Sequence, residues 1–69
     1  MDHIGIVIRS IRKEQGLSAE KVAKKLTKPI TRQAYEQREK TGSFPWEMVL
    51  EVAAILNVEP EIFLNKQAN

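Results

Sequence analysis

Apolar residues return along most of this chain at intervals of three and four, the spacing that lines one face of a helix. Ile4, Val7, Ile8 and Ile11 form the first stripe, flanked by Arg9, Arg12, Lys13, Glu14 and Gln15. Gly16 follows, a residue that adopts positive φ at little cost and so closes a helix well. The spacing predicts a first helix from Asp2 or Ile4 to about Gln15. A second starts at once. Ser18 is its N-cap, Leu17 and Val22 are spaced for a hydrophobic staple, and Val22, Ala23 and Leu26 face away from Glu20, Lys21, Lys24 and Lys25. Thr27-Lys28-Pro29 ends it, because the residue before proline is pushed out of the helical region.

Thr31 opens a third helix, its hydroxyl placed to accept from an unpartnered first-turn N–H, with Ile30 and Tyr35 as a further staple. Arg32, Gln33, Glu36, Gln37 and Lys40 share one polar face, while Ala34 and Tyr35 point the other way. Thr41-Gly42-Ser43 is a break, after which Ser43 or Phe44 caps a fourth helix with Pro45 near its first position. Trp46, Val49, Val52, Ala53 and Leu56 are its expected buried side, with Leu50 and Ile55 at the margins and Asn57 as a left-handed terminator. Val58 to Leu64 reads as a fifth helix of little more than one turn, followed by a frayed tail at 65–69. The expected fold is therefore all-α: a compact bundle of five short helices in one domain over residues 1–69, its core within 4–64.

Composition narrows what such a bundle can be. With 69 residues and no cysteine, neither disulfides nor thiolate-bound metal can staple the fold, so helix packing, with or without dimerisation, must hold it. Hydrophobic residues at 42% and interspersed charges at 29% suit a small core rather than a disordered chain. No apolar run approaches the roughly 20 residues of a membrane span, and no basic stretch leads into a long apolar one, so a cytoplasmic location is the default expectation. The net charge of +2 permits a nucleic-acid partner without demanding one.

Candidate chemistry is sparse. His3 is the only histidine, expected at the surface, and no metal-ligand spacing accompanies it. Ser18 and Thr31 are caps rather than nucleophiles, since no His–carboxylate pair attends them. The three isolated glycines make no phosphate loop. Neither an enzyme nor a cofactor is expected. What remains is the third helix, whose Arg and Gln near the N-terminal end suit a DNA major groove: Arg can bond bidentately to guanine and Gln to adenine. A merely solvated helix face would carry the same residue types.

The surrounding pattern resembles the DNA-binding domain of lambdoid-phage repressor and Cro proteins over about Ile4 to Leu64. The carriers are Ile8-x-x-Ile11-Arg12, Gly16-Leu17-Ser18, Val22-Ala23, Leu26, Ile30-Thr31-Arg32-Gln33-Ala34-Tyr35, Glu39, and Val52-Ala53-x-x-Leu56-Asn57-Val58. The resemblance implies a helix-turn-helix in helices two and three, and a pair between Arg12 and Glu39 that sets the angle between helices one and three. The glutamine-rich pattern Thr-Gln-Gln-x-x-x-Gln becomes Thr31-Arg32-Gln33-x-x-x-Gln37 here. By that correspondence Arg32, Gln33 and Gln37 read base edges, while Thr31 and Lys40 bond phosphate. Glu36, on the same face, can accept from cytosine. Arg9, Lys21, Lys28 and Ser43 complete the expected phosphate contacts.

Three positions depart from the family pattern. Ala19 replaces the glutamine that often follows the cap of helix two, which removes a phosphate clamp. The connection Thr27-Lys28-Pro29-Ile30 looks about two residues longer than the usual tight turn. Arg38 falls on the inward stripe of helix three, where it must snorkel or pair with Glu47 or Glu51. The expected function is sequence-specific binding of double-stranded DNA by a regulator, a repressor by analogy. It would act as a homodimer, with Phe63 and Leu64 expected to complete the core, to form a dimer seam, or to do some of each. The alternative is a protein-interaction module or antitoxin-like accessory factor built on the same fold.

Overall fold

A computed structural model describes residues 3–63, leaving Leu64 and the 65–69 tail outside the described residues. Four helices follow one another, α1 (Ile4–Glu14), α2 (Ala19–Lys25), α3 (Arg32–Thr41) and α4 (Trp46–Leu56). The described part of a fifth, α5, is the turn at 61–63, where Phe63 N–H bonds the Pro60 carbonyl at 3.1 Å. There is no strand among the described residues.

The local signals act where the sequence puts them. Ser18 Oγ accepts from Lys21 N–H at 3.1 Å and Thr31 Oγ1 from Ala34 N–H at 3.1 Å, each satisfying one orphan donor. Gly16, Gly42 and Asn57 take left-handed φ of 72°, 76° and 58° and turn the chain away from α1, α3 and α4. At α4 the cap differs from expectation. Pro45 itself, in an extended conformation, is the N-cap, and no side chain from Ser43 or Phe44 bonds the first turn. His3 is likewise more than a surface residue. Half-buried, it caps α1 through Nδ1, which accepts from Gly5 N–H at 3.1 Å.

The core joins Val7, Ile8 and Ile11 of α1, Val22 and Ala23 of α2, Tyr35 of α3, and Val49, Val52, Ala53 and Leu56 of α4, with Leu26 and Phe63 closing it. Phe63 is 0% exposed, so its ring completes the core of its own chain and offers a second copy no surface. Of its two expected places, core or dimer seam, Phe63 takes the core; Leu64 lies outside the described residues. Trp46 also departs from expectation. It is 54% exposed, because at the first turn of α4 it lies beyond the end of the buried stripe that begins at Val49.

Polar contacts tie the end of α1 to α4 and the α2–α3 connection to its neighbours. Gln15 Nε2 donates to the Leu56 carbonyl at 2.6 Å, which satisfies an orphan acceptor at the end of α4. Residues 26–31 separate α2 from α3, and Thr27 N–H within them donates to Glu51 Oε1 at 2.7 Å. The Ile30 N–H reaches back to the Ala23 carbonyl at 3.4 Å. The long connection is thus held to α4 and α2 by its own backbone.

Candidate nucleic-acid interface

α3 is a polar helix with a narrow anchor. Of its ten residues only Tyr35 and Glu39, one turn apart, are buried. Tyr35 stands edge-on to Phe44, with ring centroids 6.2 Å apart. Glu39 is held by Arg12 of α1: Nε donates to Oε2 at 2.8 Å and Nη2 to Oε1 at 3.0 Å. Nη1 of the same guanidinium donates to the Leu17 carbonyl at 2.8 Å. Donating to the Glu39 carboxylate favours the charged guanidinium and raises the Arg12 pKa above its ordinary value, against the opposing effect of burial. The pair is a bidentate fork fixed at both ends, the geometry that can orient one helix on another. Its presence supports the orienting role the family resemblance implies for Arg12 and Glu39.

Two features beside this fork escaped the sequence reading. Gly5 is buried against α3, and a Cβ built on it would overlap the Glu39 carbonyl oxygen. A lone glycine inside an apolar helical stripe is the available signal for such a close approach. The hydroxyl of Tyr35 is buried and has no hydrogen-bond partner among the described residues. Burial is the first cause of the rise in its pKa.

The candidate base readers Arg32, Gln33, Glu36 and Gln37 are all exposed along α3. Arg32 Nε lies 3.9 Å from Glu36 Oε1, an exposed pair that leaves the outer nitrogens of the guanidinium uncommitted. Ala34, expected to face inward with Tyr35, is exposed as well, since the anchor stripe of α3 is only one side chain wide. Arg38 is half-buried and pairs with neither Glu47 nor Glu51: its Nη1 donates to the Ser43 carbonyl at 2.9 Å, and Glu51 is turned to Thr27 instead. Arg38 therefore braces the loop that leaves α3.

The expected phosphate ligands fall into separate places. Lys21 is exposed on α2, Lys28 and Thr31 in the connection, and Ser43 beyond α3. Thr31 uses an oxygen lone pair for its cap, which leaves its hydroxyl proton available to an acceptor. Arg9 of α1 and Lys40 of α3 both line a trough between those helices. No group of three or more His, Cys, Asp or Glu among the described residues is arranged to hold a metal ion, and no helix of the described residues is long and apolar enough to cross a membrane.

The sequence profile of one family, described as Helix-turn-helix, matches residues 8–63, from the buried Ile8 of α1 to the buried Phe63 of α5. No curated protein and no solved structure is significantly similar to the chain. The match covers the capped pair α2 and α3, the Arg12–Glu39 fork and the core beneath them, and by it the chain belongs to the Cro/C1-type helix-turn-helix family of DNA-binding regulators.

Proposed function

We propose that this protein is a sequence-specific regulator that reads double-stranded DNA with α3 in the major groove, and that it represses by occupying its site. The observation that carries this reading is the division of labour along α3. Tyr35 and Glu39 fix the helix to the core, while Arg32, Gln33, Glu36 and Gln37 stay exposed with hydrogen-bonding groups of both kinds. Arg32 donates to guanine, Gln33 and Gln37 match adenine, and Glu36 accepts from cytosine. Lys21, Lys28, Thr31, Lys40, Ser43 and Arg9 hold the flanking phosphates, contacts that position the helix without reading sequence.

One short helix reads few base pairs, so useful specificity calls for two copies on a two-fold site. A homodimer acting in the cytoplasm, with no cofactor and no enzymatic activity, fits that scheme. Selection from a randomised duplex pool tests it, followed by anisotropy titration of the enriched site at several salt concentrations. An enriched, two-fold-symmetric site with a steep salt slope is the expected outcome. Absence of enrichment, with only weak binding, would instead favour the protein-interaction reading of the same fold.

A further inference from the structure

We propose that the DNA interface on α1 continues past Arg9 to Lys13, which binds backbone phosphate in the trough between α1 and α3. The inference rests on the DNA-binding reading above and adds a wall to it.

The trough is lined mainly from α1 and α3, with Ser18 and Ala19 at the start of α2. On α1, Arg9 and Lys13 stand one turn apart, both exposed; on α3, Arg32, Glu36 and Lys40 follow at intervals of four. Its floor includes Arg12 and Glu39, whose charges cancel within their fork. The walls therefore decide the sign of the field. They carry four cations against one exposed acid, Glu36, and that carboxylate is already 3.9 Å from Arg32 Nε. Arg9, Lys13 and Lys40 form no ion pair among the described residues, although Lys24 and Arg32 do.

A modest net charge of +2 for the whole chain thus conceals a concentrated positive trough running beside the reading helix. At 1.5 Å per residue, the α3 row from Arg32 to Lys40 spans about 12 Å. Successive phosphates of one strand are at least about 3.4 Å apart, so a trough of this length takes more than one and no more than about three of them. Because Arg32 belongs to both the trough wall and the reading face, a strand lying here is the one flanking the groove that α3 enters. The charge, the length and the shared Arg32 all fit a DNA strand.

The test compares wild type with Lys13→Gln, Arg9→Gln/Lys13→Gln and Lys25→Gln, the last an exposed α2 residue outside the trough. Glutamine keeps the helix propensity of these positions, so folding is not at issue. Each variant is titrated by anisotropy against its selected duplex and an unrelated one, between about 50 and 200 mM salt. Lys13→Gln is expected to weaken both duplexes by the same factor and to reduce the log–log salt slope by about 0.9. This corresponds to a roughly 3.5-fold shallower change over that range. The double variant should lose nearly twice as much slope, and Lys25→Gln none. A wild-type chain that binds with a steep slope, paired with a Lys13→Gln slope equal to it, overturns the assignment of Lys13 to phosphate and leaves the DNA-binding reading standing. A wild-type chain that binds neither duplex overturns both.

Discussion

Tyr35 anchors α3 with its ring, and its hydroxyl is buried without a partner among the described residues. An orphaned buried hydroxyl costs about 1–3 kcal/mol, so deleting it should not destabilise the protein. Tyr35→Phe is expected to match or exceed wild-type stability in urea unfolding near neutral pH. The same burial makes the residue sensitive to alkali. Its pKa in the folded chain lies above the ordinary 10.0, so beyond that pH the unfolded state gives up a proton that the folded state keeps. Stability must then fall with rising pH, by up to about 1.4 kcal/mol per unit from this group alone. Tyr35→Phe should lose that share of the decline, which urea melts at about pH 8 and about pH 11 would show. Gly5 gives the opposite case. Alanine would improve helix propensity by about 1 kcal/mol. Its Cβ, however, would strike the Glu39 carbonyl, which is backbone and cannot swing aside. Overpacking of this kind costs about 1–3 kcal/mol or more, so Gly5→Ala is expected to lower the melting temperature despite the propensity gain.

The relation of α1 to α3 rests on the Arg12–Glu39 fork, and its energetics are separable from its geometry. Glu39→Leu alone leaves a buried guanidinium without its counter-charge and should cost about 3–5 kcal/mol. Arg12→Met/Glu39→Leu removes both charges and should recover most of that loss in chemical denaturation. If the fork orients α3, the double variant will be stable yet weaker on its preferred duplex; wild-type affinity would reduce the fork to a stability element. Both partners were legible in the sequence only through resemblance, since no periodicity links residues 27 positions apart. The capped ends, by contrast, depend on short-range chemistry: Ser18, Thr31, Gly16, Gly42 and Asn57 act on backbone groups within a few residues. What could not be read locally was set by packing between distant elements. Glu51 bonds Thr27 across 24 positions, Gly5 meets α3, and Arg38 turns to the Ser43 carbonyl rather than to an acid on α4. Trp46 shows the same limit, since periodicity alone does not say how far the buried stripe of α4 extends.

Among the described residues, those that hold the fold and those proposed to meet DNA barely overlap, which makes the proposed reading face open to dissection. Arg32, Gln33 and Lys40 are exposed, and the ion pair of Arg32 with Glu36 is exposed as well and of little weight for stability. Substituting these positions should leave the melting temperature near wild type, so changes in binding report contacts rather than folding. Base contacts and phosphate contacts then predict different signatures. Arg32→Ala and Gln33→Ala should each cost roughly 1–3 kcal/mol on the preferred site and relax the preference at one base pair. Lys40→Ala should weaken every duplex by about the same factor, because a phosphate is identical at each step of the strand. Competition anisotropy against a panel of single-base-pair variants separates these outcomes. A uniform loss across the panel from all three substitutions would remove Arg32 and Gln33 from the base-reading set. It would leave α3 as a helix that holds the backbone, and sequence preference would then have to come from DNA shape.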